Sequence, residues 1–335
     1  MLALSILDQS PVSEGSTPKA ALQQTVELAQ TAEKLGYKRF WVSEHHFSRN
    51  LAGSSPEVLI SYIAAKTEKI RVGSGGVMLP HYSAYKVAEN FRVLEGLALG
   101  RIDAGVGRAP GGMPIASMAL QNGGRRMTDQ YPGQIRDLIT YLYDQADEHH
   151  RFPNLTASPN VGSAPDIWLL GSSGESARLA AQFGASYTFA QFINGEGGED
   201  AARQYIERYQ PSVLGEKPKV TVAVFVICAE TEEEAERLAK SLDFSLLANE
   251  QGMETKGFPS LETALSYDYS PYEKRRIADN RKRMVIGTQQ QVKEQLLELA
   301  GAYGTDEIMA VTITYDFQDK LNSYRLLAEA FQNEI

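Results

Sequence analysis

A carboxylate and two adjacent imidazoles, Glu44-His45-His46, follow directly on the apolar run Trp41-Val42-Ser43, and the chain holds only five histidines. A neutral imidazole can accept and return a proton near pH 7, and a neighbouring carboxylate can orient it. Successive side chains on an extended segment point to opposite faces, so His45 and His46 cannot look the same way. One can face the mouth of a site while the other packs behind it. Alone, the triplet reads more simply as a solvated polar strand end.

Three other stretches could do chemistry with it. Gly171-Ser172-Ser173-Gly174-Glu175-Ser176 opens a helical pattern. Such a turn leaves backbone N–H groups free at the positive end of a helix dipole and adds serine hydroxyls, which suits an anion. An ordinary N-cap would read the same way. Glu175 would repel an anion, so only the backbone and hydroxyls should serve. Arg108 supplies a fixed cation after another apolar run, for a phosphate or a surface salt bridge. Gly75-Gly76 interrupts an apolar strand, which suggests close approach of a flat ligand or a bend at a barrel corner. Jointly these describe an anion seat, a cation, a backbone platform and a histidine.

The elements that must position these residues alternate regularly. Apolar runs at residues 3–7, 39–43, 70–77, 102–105, 167–170, 185–190, 219–228 and 307–314 read as strands. Helical patterns follow at 19–35, 56–67, 85–97, 127–143, 175–183, 200–209, 232–247 and 320–331, with a further amphipathic helix at 289–303. Gly36 and Gly100 stop the first and third. Eight strands buried on both faces, each followed by a helix, predict one α/β domain over residues 1–335. The fold is a (β/α)8 TIM barrel with insertions after strands 4 and 7, at about 109–165 and 248–280. A doubly wound open sheet is the alternative, but the first turn, Asp8-Gln9-Ser10-Pro11, lacks the glycines that fold needs. In a barrel the functional groups gather where the strands end at their C-termini. The stretch 109–124 is expected to be a long loop over one end of the fold, and 248–279 a second irregular insertion.

Composition excludes several function classes. The 335 residues carry a net charge of −9, with pI near 5.2, so no nucleic-acid partner is expected. The longest apolar run, from Val220 to Ala229, is about half a membrane span, and residues 1–8 show no basic leader of a signal peptide. The one cysteine, Cys228, is expected to be a buried strand residue in a reducing compartment. A cytoplasmic protein without membrane or metal sites is the expectation.

The chain resembles the bacterial luciferase-like monooxygenases, flavin-dependent (β/α)8 enzymes, from its first strand to its last helix. Five stretches carry the resemblance: 41–46, 72–80 (Val-Gly-Ser-Gly-Gly-Val-Met-Leu-Pro), 100–111 (Gly-Arg-Ile-Asp-Ala-Gly-Val-Gly-Arg-Ala-Pro-Gly), 171–177 and 284–288 (Met-Val-Ile-Gly-Thr). The resemblance implies that His45 is the catalytic histidine, of near-neutral pKa, with Glu44 its neighbouring acid and His46 structural. It implies that Gly75-Gly76 forms a non-prolyl cis peptide under the flavin ring and that Arg108 contacts the flavin. Ser172, Ser173, Gly174 and Ser176 would hold its phosphate. Gly107 stands where light-emitting members have a reactive cysteine, so a luminescent reaction is not implied. The implied cofactor is reduced FMN from a separate NAD(P)H:flavin reductase, used with O2 on a small organic substrate by a homodimer, with 109–124 and 248–279 as lids. A deazaflavin-dependent oxidoreductase and a non-catalytic flavin-binding protein are the alternatives.

Overall fold

The computed structural model describes residues 2–123 and 128–332. Gly124 and Met127, the expected end of the long loop and start of the next helix, lie outside them. The strands are β1 (Ala3–Asp8), β2 (Arg39–Val42), β3 (Arg71–Ser74), β4 (Val77–Met78), β5 (Ile102–Gly107), β6 (Asp166–Gly171), β7 (Ser186–Ala190), β8 (Val220–Ala229), β9 (Met284–Thr288) and β10 (Glu307–Val311). Between them run α1 (Pro18–Lys34), α2 (Pro56–Lys66), α3 (Ala84–Leu97), α4 (Pro114–Leu120), α5 (Tyr131–Leu142), α6 (Gly174–Phe183) and α7 (Gly198–Arg208). The later helices are α8 (Glu232–Gln251), α9 (Leu261–Ser266), α10 (Pro271–Arg281), α11 (Gln289–Tyr303) and α12 (Phe317–Gln332).

All strand pairs are parallel, and the sheet closes on itself. The order β1-β2-β3-β5-β6-β7-β8-β10 returns to β1 through Ala3↔Glu307 to Ile6↔Ala310. This is the closed eight-stranded (β/α)8 TIM barrel. Residue parity divides the core as a pleat requires. Ile6, Phe40, Val42, Val222 and Val224 pack outward against the helices. Leu7, Trp41, Trp168, Ala223, Phe225 and Met309 fill the interior. Every residue of β8 is buried, so its unbroken apolar run needs no membrane.

At the strands' N-terminal ends, buried charges pair. Arg39 donates from Nε to Glu307 Oε1 at 2.6 Å and from Nη1 to Asp103 Oδ2 at 2.7 Å, while Trp41 Nε1 donates to the same Asp103 oxygen at 2.8 Å. Each buried charge therefore meets an opposite one, without which burial would cost several kcal/mol, on the order of 3–5.

The sequence reading departs from the fold in four places. The single strand read at 70–77 divides into β3 and β4 around Gly75–Gly76. The second insertion is not irregular: α8 runs to Gln251, and α9 and α10 follow. Ser270 and Glu273 cap α10 reciprocally, with Pro271 at its first turn. The first insertion carries the short α4. Met284–Thr288 is an additional strand, β9, paired with the C-terminal half of β8 from Phe225↔Met284 to Ala229↔Thr288.

Candidate functional site

The C-terminal ends of β3, β5, β6 and β7 surround a cavity of about 470 Å³, within the usual range of small-molecule sites. Gly75, Gly76, Arg108, Ser172, Ser173 and Ser176 all line it. Stretches up to about 100 residues apart in sequence thus meet at one opening. Between them the inner wall is apolar, with Leu7, Trp41, Leu170, Phe192 and Met309.

Gly75–Gly76 is a cis peptide. A Cβ on Gly75 would stand 2.6 Å from Leu7 Cδ1, and one on Gly76 would stand 2.5 Å from Leu170 Cδ1 and 2.7 Å from the Gly105 carbonyl oxygen. The backbone here lies against the barrel wall, and any side chain would have to displace it.

The α6 N-terminus opens on the same cavity. Ser173 is its N-cap in extended conformation, yet its hydroxyl makes no capping bond. Gly174 begins the helix, and Ser176, nearly fully buried, lines the cavity one turn in. The N–H groups of this first turn have no partners within their own helix. Arg108 reaches across and donates from Nη1 to Glu175 Oε2 at 2.7 Å. The fixed cation is therefore held in a surface salt bridge, one of the two readings of Arg108 in the sequence, with the acid beside the seat.

Glu44 is fully buried and belongs to His46, not to His45. Its Oε1 accepts from His46 Nε2 at 2.6 Å and from Tyr82 Oη at 2.8 Å, and Oε2 accepts from the Met78 N–H at 2.9 Å. Burial, then Glu44, raises the Tyr82 hydroxyl well above its ordinary pKa, so it stays a donor. The backbone N–H of His46 donates to Gly111 O at 2.7 Å, and His81 Nε2 donates to Pro110 O at 2.9 Å. Two histidines thus hold the segment that follows Arg108.

His45 is half-buried and is not among the described residues that line the cavity. Its Nδ1 lies 3.0 Å from Ser43 Oγ. Burial, then the neighbouring His46, lowers it to about 4. This corrects the expectation of a near-neutral pKa: an imidazole withdrawn from water, beside a second imidazole, resists charge.

Sequence reasoning missed Thr188, a residue of the cavity lining whose buried hydroxyl has no hydrogen-bond partner among the described residues. Alternation along β7 places it inward with Ala190, a signal available in the sequence. The lack of a partner was not.

The model of the luciferase-like monooxygenase family matches residues 2–306. The chain belongs to the luciferase-like monooxygenase family. Among its relatives, YwcH of Bacillus subtilis (strain 168), a protein of uncharacterized function, is 71% identical, with 99% of both chains covered. An N-acetyl-S-alkylcysteine monooxygenase from the same organism is 42% identical over 98% of each chain. The crystal structure of apo-MsnO8 superposes with a TM-score of 0.91 at 38% identity, covering 99% of both chains. As a family member the protein is expected to be an oxidoreductase, and its barrel is the family's.

Proposed function

We propose that this family member is a flavin-dependent monooxygenase that uses reduced FMN and O2 to oxidise a small organic substrate. The observation that carries the reading is one cavity joining an open helix N-terminus to a side-chain-free glycine platform. FMN has a phosphate for the first and a flat ring for the second. When bound and reduced it would supply the electrons for oxygen activation.

Ser172, Ser173 and Ser176, with the N–H groups from Gly174 onward, would hold the phosphate. Gly75–Gly76 would support the ring, since a Cβ at either position would fill that floor or strike the wall. Arg108 would add a positive contact at the same opening, and the apolar inner wall would exclude water. His45, neutral at pH 7, would accept and return a proton at Nε2, the nitrogen turned away from Ser43. Glu44 would act through His46, by fixing the segment after Arg108, rather than at the reacting atoms.

The test is oxygen uptake by the protein with FMN, NAD(P)H and an added flavin reductase, with an N-acetyl-S-alkylcysteine as first substrate because of the 42%-identical relative. Substrate-stimulated uptake supports the reading. Oxidation of a substrate with deazaflavin and no O2 would point to hydride transfer, and FMN binding without any turnover to a binding protein.

A further inference from the structure

We propose that Thr188 is a cofactor-contacting residue whose hydroxyl hydrogen-bonds a polar atom of the flavin ring. The inference rests on the flavin reading and adds to it a residue that no sequence motif marks. Thr188 is 3% exposed, it forms part of the cavity wall, and its Oγ1 has no hydrogen-bond partner among the described residues. An unpaired buried hydroxyl is costly, so native structures seldom keep one without a use.

The surroundings say what it can meet. Leu170, Phe192, Ala190 and Ala223 are its apolar neighbours in the lining. Among the described residues no charged side chain lines this inner part, since the Arg108 side chain is 39% exposed and paired with Glu175. A carboxylate or phosphate here would be buried uncompensated. A neutral carbonyl or ring nitrogen would not, and the pyrimidine half of a flavin carries both. The phosphate seat and glycine platform in the same cavity leave the ring facing these walls.

Thr221 supplies an internal control. It lies opposite Thr188 in the β7–β8 register, is fully buried and also has an unpartnered Oγ1, but it does not line the cavity. The two threonines share a defect in pairing among the described residues and differ in whether the residue borders the cavity.

The experiment measures the melting temperature of ligand-free Thr188→Val, Thr188→Ser and Thr221→Val, and their affinities for FMN and riboflavin by fluorescence titration. The inference expects Thr188→Val to melt no lower than wild type, because valine matches threonine in shape and removes only an unpaired hydroxyl. It expects a roughly three- to tenfold weaker Kd, the loss of one hydrogen bond, by the same factor for FMN and riboflavin. Thr188→Ser should bind close to wild type, and Thr221→Val should bind unchanged. Unchanged affinity of Thr188→Val overturns the inference, and so does an effect that disappears with riboflavin. A ligand-free melting temperature several degrees lower also overturns it, since the hydroxyl would then have an internal partner. A wild-type protein that binds neither flavin would instead refute the flavin reading itself.

Discussion

Glu44 pairs with His46 at 2.6 Å, while His45 turns to Ser43. The carboxylate's role is therefore mechanical: it fixes the imidazole of His46, whose backbone N–H bonds the Gly111 carbonyl in the segment that follows Arg108. Glu44→Gln keeps the shape and loses the charge. It should destabilise the protein by about 1–3 kcal/mol and weaken FMN binding, while leaving the pH dependence of turnover in place. Denaturant unfolding and FMN titration check both halves.

His45 gives a pH dependence of definite sign. Its folded pKa of about 4 lies below the ordinary 6.5, so between these values the unfolded chain binds the proton and the folded one does not. The stability it contributes is present above pH 6.5 and is lost as pH falls toward 4. His45→Asn removes this slope. From pH 7 to 4 the variant should gain on wild type by at most roughly 3 kcal/mol, less to the extent that water reaches the half-buried ring. Parallel melting curves across that range make the comparison.

At Gly76 the obstacle to a side chain includes backbone. A Cβ would meet the Gly105 carbonyl oxygen at 2.7 Å as well as Leu170, and the carbonyl cannot swing aside as a side-chain tip could. Gly76→Ala should cost about 1–3 kcal/mol and abolish measurable FMN binding. Gly174→Ala, where a Cβ meets nothing within 4 Å, should be tolerated in stability.

Arg108 and Glu175 should respond in opposite directions. Their side chains are 39% and 48% exposed, so the pair contributes less than about 1 kcal/mol to stability. Arg108→Gln should leave the melting temperature nearly unchanged but weaken FMN on the order of tenfold. Glu175→Gln releases the guanidinium and removes a competing anion, so binding should tighten severalfold. Both effects should be larger in titrations at low salt and diminish at high salt.

The barrel, and the glycine, arginine and serine stretches that gather at its cavity, are legible because their signals are local. Apolar runs at regular spacing specify parallel strands, and a glycine-serine turn specifies a helix start. The pairing within Glu44-His45-His46 was also within reach. Alternation separates His45 from His46, and the same rule places Glu44 and His46 on one face. The helical second insertion carried its own mark in Ser270-Pro271-Tyr272-Glu273, a capping box ahead of a polar helix with little apolar periodicity. Its low hydrophobicity hid it. The Arg108–Glu175 pair and the unpaired Thr188 hydroxyl depend on contacts between separate strands, which no local pattern encodes.

The most direct measurement is substrate-linked oxygen uptake with FMN and a flavin reductase, for wild type and His45→Ala, with FMN affinity measured on the same samples. The account predicts uptake matched by one atom of 18O from 18O2 in the product of wild type. His45→Ala should bind FMN within about twofold of wild type and turn over on the order of a hundredfold more slowly. Bound FMN with no substrate-linked uptake, or His45→Ala turning over at the wild-type rate, would contradict it.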